Sequence, residues 1–255
     1  LAALPLAAAV AQTSTAARAD TVKTSARIVI AGGGAAGLTA ASRLAAALQG
    51  ASITVVDSRK EHYYQPGFTL VAAGIKPQAY VTSPTSSYIP KGVEWVNERV
   101  AEIDPEGNKV VTESGKAVPY DYLIVATGLE LHYAGIEGMD TARIGQNGLG
   151  SIYHSPQAAS ATWGALSQFA DTGGVGLFGR PAGEMKCAGA PLKYAFISDD
   201  HLRRRGNRGK AELIYMAQSK SLFGVPIVAE KVRMLFQDRG VKVNHDHVLQ
   251  SIDLD

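Results

Sequence analysis

The 255-residue sequence holds one cysteine, Cys187. A lone thiol excludes an intrachain disulfide and is too few for a thiolate metal centre, so no metal site is expected. Charge of one sign is not in excess either: 25 basic against 23 acidic side chains leave a formal +2. That field is too weak to recruit nucleic acid. The local basic run Arg203, Arg204, Arg205, Arg208 and Lys210 reads as a solvated helix end. After the first residues there is no apolar run of membrane-spanning length, so any membrane contact is expected to be peripheral. His62 and His132 lack metal-ligand spacing and read as surface or structural residues.

What is present begins with an apolar stretch, Leu1 to Val10, followed by small polar residues and Ala17-Arg18-Ala19 before Asp20. Residues 1–19 are read as an export signal with an A-x-A cleavage site. From Ala26 onward the pattern is alternating strand and helix. Arg27 to Ala31 is a β-branched apolar run, Leu38 to Leu48 is helical, and Ala51 to Val56 is a second strand, together a βαβ unit with a right-handed crossover. Residues 58–90 are expected to be irregular, and short strands follow near 93–96 and 100–103. Lys109 to Thr112 and Ala117 to Tyr120 flank a hairpin turn, and Tyr122 to Ala126 is expected to be a buried strand. A second alternation starts after a Gly-containing stretch, with helices over 155–169, 191–205 and 226–238 and strands over 174–178, 211–216 and 241–245. The expected organisation is an α/β chain of two Rossmann-like three-layer domains: 20–135, then a linker over 136–150, then 151–255.

Gly32-x-Gly34-x-x-Gly37 stands between the first strand and its helix, and Asp57 follows the second strand, the context that a dinucleotide fingerprint requires. Gly32 permits the tight turn, Gly34 lets the backbone approach a pyrophosphate, and Gly37 lets helix and strand pack closely. The amides of Ala35 and Ala36 face the diphosphate, and Asp57 accepts from the adenosine ribose, which disfavours a 2′-phosphate. FAD and NAD share the ADP half, so this motif alone does not choose between them. Ala126-Thr127-Gly128 at the end of a later strand points to flavoproteins with two dinucleotide-binding domains.

Tyr63-Tyr64-Gln65-Pro66, Pro90-Lys91-Gly92-Val93-Glu94-Trp95, Ala126-Thr127-Gly128 and, above all, Lys186-Cys187-Ala188-Gly189-Ala190-Pro191 resemble sulfide:quinone oxidoreductase, from about residue 27 to the end. The resemblance implies bound FAD, contacted at Ala35, Ala36, Asp57, Gln65 and Val100. It implies that Cys187 works with a second redox cysteine. Hydrosulfide opens a bridge between them, a persulfide forms, and two electrons pass through the flavin to quinone while sulfur leaves to a thiol or sulfite. The family carries its second cysteine, a later flavin-contacting segment and amphipathic membrane-binding helices in a C-terminal portion. The FAD domain is therefore expected to be incomplete here, and the chain alone inactive. The implied location is the periplasmic face of the cytoplasmic membrane or an organellar inner membrane, and a homo-oligomer is allowed.

The second alternation argues separately against a nicotinamide site. Its first strand leads into Gly179-Arg180-Pro181-Ala182-Gly183, a poor fingerprint in which Pro181 removes an amide donor. Cys187 follows at the approach to a helix whose first turn holds Pro191, where the helix N-terminus and Lys186 would favour a thiolate. Tyr63 and Tyr64 are read evenly as flavin cover or core, and Leu222-Phe223 as a helix-entry core contact or a border of the quinone path. Three alternatives stand: the flavoprotein subunit of a flavocytochrome c sulfide dehydrogenase, an NADH:quinone oxidoreductase, and a non-catalytic flavin-binding or sulfide-sensing module.

Overall fold

A computed structural model describes residues 21–180, 183 and 185–254. The expected export signal therefore lies outside the described residues, as does Pro181. Along the chain run β1 (Val22–Lys23), β2 (Arg27–Ala31), α1 (Ala35–Ala47), β3 (Leu48–Gln49), β4 (Ser52–Val56), β5 (Glu61–Tyr63), α2 (Phe68–Ala72) and β6 (Thr82–Pro84). They continue with β7 (Glu94–Val96), β8 (Val100–Asp104), β9 (Lys109–Thr112), β10 (Ala117–Pro119), β11 (Tyr122–Val125), α3 (Pro156–Thr172) and β12 (Gly174–Gly179). The last four are α4 (Gly189–Arg204), β13 (Ala211–Met216), α5 (Pro226–Asp238) and β14 (Val241–Asn244). The elements fall into two compact units: Leu1–Arg59 with Tyr88–Thr127, and Lys60–Ser87 with Gly128–Asp255.

The first unit is built on a parallel sheet in the order β11-β2-β4-β7. Side chains alternate across a strand, so residue parity sorts the two faces. Ile28, Ile30, Ile53 and Val55 pack with Ala41 and Leu44 of α1. Val29, Val56 and Val96 face the other way, onto Val110, Val118 and Tyr120 of the antiparallel layer β10-β9-β8. Helix, parallel sheet and antiparallel sheet make three layers. The expectation of a buried strand over Tyr122 to Ala126 is corrected: β11 is an edge strand, with Tyr122 65% and Val125 59% exposed. Its apolar composition reflects the half that is covered, Leu123 and Ile124.

The second unit has a parallel sheet β12-β13-β14. Leu213 and Tyr215 of β13 pack under Leu192, Ala195 and Leu202 of α4 and Phe236 of α5. Helix α3 starts where Ser155 accepts a hydrogen bond from the Ala158 amide, with Pro156 at the first helical position, and stops at Gly173 with φ 78°. Residues 58–90, expected to be irregular, instead contain β5 paired with β6 and the short helix α2. Phe68, Val71 and Ala72 join Ala159, Leu166 and Tyr194 in one cluster, so their order comes from residues far along the chain. Asp199, wholly buried, accepts from Arg203 Nε (2.8 Å), Arg208 Nε (2.6 Å) and Arg239 Nη1 (2.7 Å). Part of the basic run thus pins α4, the turn after it and the end of α5 together. Burial pushes the Asp199 carboxyl up, but the three guanidinium groups more than offset this and hold it below the usual range.

Candidate functional site

In the first unit, only Gly32, Gly33 and Gly34 separate β2 from α1. Gly32 has φ 107°, and a Cβ there would meet the Ala126 carbonyl oxygen at 2.3 Å. A Cβ at Gly37 would fall 1.8 Å from the Gly32 carbonyl oxygen. Both glycines are therefore demanded by the backbone itself. Gly34 differs, since a Cβ there would meet only Arg59 Nη2 at 3.5 Å. Packing does not require glycine at that position, whereas close approach of a ligand would. Gly34 caps α1 with no side-chain bond and no acidic residue in the first turn, and Ala35 and Ala36 are exposed. Their amides have no acceptor inside the helix and face outward with the positive end of the helix dipole.

Asp57 follows β4 and is 8% exposed. Its Oδ2 accepts from the Gly33 amide at 2.6 Å and from Arg59 Nη2 at 3.0 Å, and its Oδ1 accepts from the Arg59 amide at 2.7 Å. Burial pushes this carboxyl up, and the Arg59 and Gly33 donors outweigh burial, leaving it an anion below the usual range. The Asp57 carbonyl accepts from Trp95 Nε1 (2.9 Å) and Asn97 Nδ2 (3.1 Å), which holds the residue from behind. The structure thus brings Gly32, Gly34, Ala35, Ala36, Gly37 and Asp57 to one end of the parallel sheet, with Ala126, whose amide bonds the Ala31 carbonyl at 2.7 Å. Exposed Thr127 follows it. Val100 opens β8 at an irregularity in the pairing with β9. Arg59 is a member that the sequence reading missed; its only signal is its place two residues after the acid.

The other expected site residues lie in the second unit. Nine residues, 180–188, separate β12 from α4, and Cys187 is exposed two residues before the helix. The neighbouring Lys186 does not stand free: its ammonium donates to Gln65 Oε1. Loss of hydration at that end lowers the Lys186 pKa. Gln65 begins the turn that leads into α2, and Phe68 three residues later stacks on Tyr153 with centroids 6.0 Å apart. Tyr153 is raised above the ordinary phenol value, first by burial and then by the negative charge of Cys187. Gln65, Tyr153 and the 186–187 turn therefore converge, and Tyr153 had no local signal to announce it. Gly128 has φ 83° at the exposed start of the long second segment of this unit.

Among the residues read both ways, Tyr63 packs on Phe68, whereas Tyr64 is 49% exposed and edges onto Tyr80. Leu222 is core, and Phe223 lines an open cavity of about 600 Å³ with Gly189, Leu192, Phe196 and Val228. His62 lies in β5, and His132 is an exposed residue before a single 3-10 turn. Among the described residues no helix is long and apolar enough to cross a membrane.

The sequence model for pyridine nucleotide-disulphide oxidoreductases matches residues 26–169. The mitochondrial sulfide:quinone oxidoreductase of Mus musculus is 36% identical over 90% of this chain and 50% of its own length. That of Dictyostelium discoideum is 37% identical over 89% of this chain and 50% of its own. The crystal structure of sulfide:quinone oxidoreductase from Aquifex aeolicus superposes with a TM-score of 0.76 at 26% identity, covering 90% of this chain and 53% of that one. The chain spans about half the length of the curated relatives it matches. The expected α/β, Rossmann-like fold is the one these comparisons share.

Proposed function

Since the chain belongs to the pyridine nucleotide-disulphide oxidoreductase family, we propose that it is part of a flavoprotein that oxidises sulfide at Cys187 and passes the electrons to quinone. The observation that carries this reading is the contrast between the two strand–turn–helix segments. One leaves exposed amides and ligand space at Gly34; the other places a thiol where a second nucleotide turn would stand. FAD is the cofactor that fits. Gly34, Ala35 and Ala36 hold its diphosphate, Asp57 its ribose, and Val100, Gln65 and the Ala126-Thr127-Gly128 turn are assigned to the rest of it. When bound, FAD would supply a two-electron acceptor for the thiol chemistry.

The sulfur step requires a second thiol, which residues 1–255 do not contain. With Cys187 in a disulfide to that thiol, hydrosulfide attacks the Cys187 sulfur. The S–S bond breaks, Cys187 is left as a persulfide, and the second sulfur leaves as a thiolate carrying the electron pair. The terminal sulfur then goes to a thiol or sulfite acceptor. Peripheral membrane contact on the exporting side or at an organellar inner membrane, homo-oligomerisation and the 20–135, 136–150 and 151–255 organisation belong to the same reading.

An NADH-dependent alternative is disfavoured by the second unit. Gly179 pairs with Met216 as Ala31 pairs with Val56, so Ala217 occupies the place that Asp57 has in the first unit. No acid is there for a ribose. Anaerobic addition of sulfide to the FAD-loaded protein, with the second thiol supplied, should bleach the flavin in wild type and leave it oxidised in Cys187→Ser. Equal bleaching in the two would end the proposal.

A further inference from the structure

A carboxylate offers about four acceptor directions, and at Asp57 each is taken. Two go to backbone donors, the Gly33 amide on Oδ2 at 2.6 Å and the Arg59 amide on Oδ1 at 2.7 Å. The remaining two go to one side chain, with Arg59 Nε on Oδ1 at 3.2 Å and Nη2 on Oδ2 at 3.0 Å. A ribose hydroxyl that is to donate to this acid must therefore displace the guanidinium, because the other donors are fixed in the chain. The exposures fit that order of mobility. Asp57 keeps 8% of its side chain open and Arg59 48%, and an ion pair with one half-exposed partner is held by little free energy. Asp57 itself stays in place, since Trp95 Nε1 and Asn97 Nδ2 hold its carbonyl.

The guanidinium that is displaced has a place for a second anion within reach. Its Nη2 already lies 3.5 Å from where a Cβ on Gly34 would stand, the spot at which packing leaves space for a diphosphate. Helix α1 brings no acid to its first turn and no side-chain cap to Gly34, so it offers the cation no anion of its own. We infer that Arg59 is an exchange residue of the nucleotide site: it pairs with Asp57 while the site is empty, yields that carboxylate to the ribose, and turns onto the diphosphate of the same ligand. The site thereby prefers a nucleoside diphosphate to a bare nucleoside. The inference rests on the nucleotide reading of the first unit proposed above and adds a residue to it. Arginine suits the exchange because its planar fork meets either oxyanion with two donors.

The test uses the full chain, with ADP and adenosine as probes and no flavin. Both carry the ribose, and only ADP carries the diphosphate. Dissociation constants for wild type and Arg59→Ala are read from ligand-observed NMR titrations. The substitution should weaken ADP about tenfold through loss of a charge-assisted contact. It should tighten adenosine about threefold, because the ribose no longer competes with a guanidinium for Asp57. The ratio of the two affinities is then expected to fall about thirtyfold. Partial loss of fold lowers both affinities by one factor and leaves that ratio where it was. An unchanged ratio therefore overturns the inference, whatever happens to each constant. Adenosine binding that is no tighter in a variant with the wild-type melting curve overturns it too, since Arg59 would then never have stood in the way of the ribose. Failure of the parent reading looks different. If wild type binds no ADP, the nucleotide reading of the first unit falls and the inference falls with it, whereas ADP binding with an unchanged ratio removes the inference alone.

Discussion

The two units begin with the same frame, a parallel strand, a turn and a helix, and differ in the length of the turn. Three residues join β2 to α1 and nine join β12 to α4. A short turn cannot reach outward, so what it presents is its own backbone: amides at a helix start and glycines where side chains would collide. A long turn has room to carry a side chain to a chosen place, and here that side chain is a thiol. The strand that follows repeats the difference. Asp57, an anion braced by Gly33 and Arg59, stands where the second unit has Ala217. Under the proposed function, the first frame holds the nucleotide and the second carries the sulfur chemistry.

If this division is right, the largest effect comes from the glycine that closes the short turn. In Gly37→Ala the new methyl would sit 1.8 Å from the Gly32 carbonyl oxygen, which is backbone and cannot swing away. A loss of more than about 3 kcal/mol of stability is expected, read as a large drop in urea midpoint. An unchanged midpoint would show that α1 does not need its close approach to β2. The second unit depends on a different buried group. Asp199→Asn leaves three arginines without their shared anion, and a loss of about 3 kcal/mol is expected. The pH dependence follows from the sign of the shift. The folded-state pKa of Asp199 is below its unfolded value, so its contribution is complete above the unfolded carboxylate pKa. It is lost as pH falls through the depressed value. Wild type should lose stability steeply on acidification, and Asp199→Asn should show a shallower acid limb in thermal melts across that window.

Much of this was legible in the sequence, and the pattern of what was not is physical. Strand Ala211–Met216 and helix Pro226–Asp238 have the bounds that alternation and an N-terminal proline imply, because their signals are local. The same holds for the places of Gly32, Gly34, Gly37 and Asp57, which follow from spacing around one βαβ unit. Helix α2 was hidden because five residues are too few for a helical period, and its order is supplied by α3 and Tyr194. Arg59, Tyr153 and the Lys186–Gln65 contact were hidden for a related reason. Each is defined by a side chain's partner, and two of those partners, Phe68 for Tyr153 and Gln65 for Lys186, are more than thirty residues away.

A smaller effect separates ligand space from packing. In Gly34→Ala the backbone, at φ −78° and ψ −170°, accepts alanine, and the added carbon makes only ordinary contact with Arg59. Stability should stay within about 0.5 kcal/mol of wild type, while FAD affinity, measured by flavin fluorescence, should fall about tenfold, or about 1.4 kcal/mol. Equal affinity would mean that the diphosphate does not lie over Gly34, and the assignment of the first unit would have to change.

The smallest effect should come from a glycine at the head of the other helix. Gly189 opens α4, and a Cβ there would meet Phe223 Cε2 at 3.7 Å, an ordinary contact with one ring edge. No carbonyl stands behind it as Gly32 stands behind Gly37. Alanine also restricts the unfolded chain more than glycine does, so Gly189→Ala should be neutral or stabilising by a few tenths of a kcal/mol. Melting curves of Gly37→Ala and Gly189→Ala measured side by side put the comparison to its plainest test. If both substitutions proved equally damaging, the long turn would be packed as tightly as the short one. The freedom to carry a thiol, which sets the second unit apart, would then need another source.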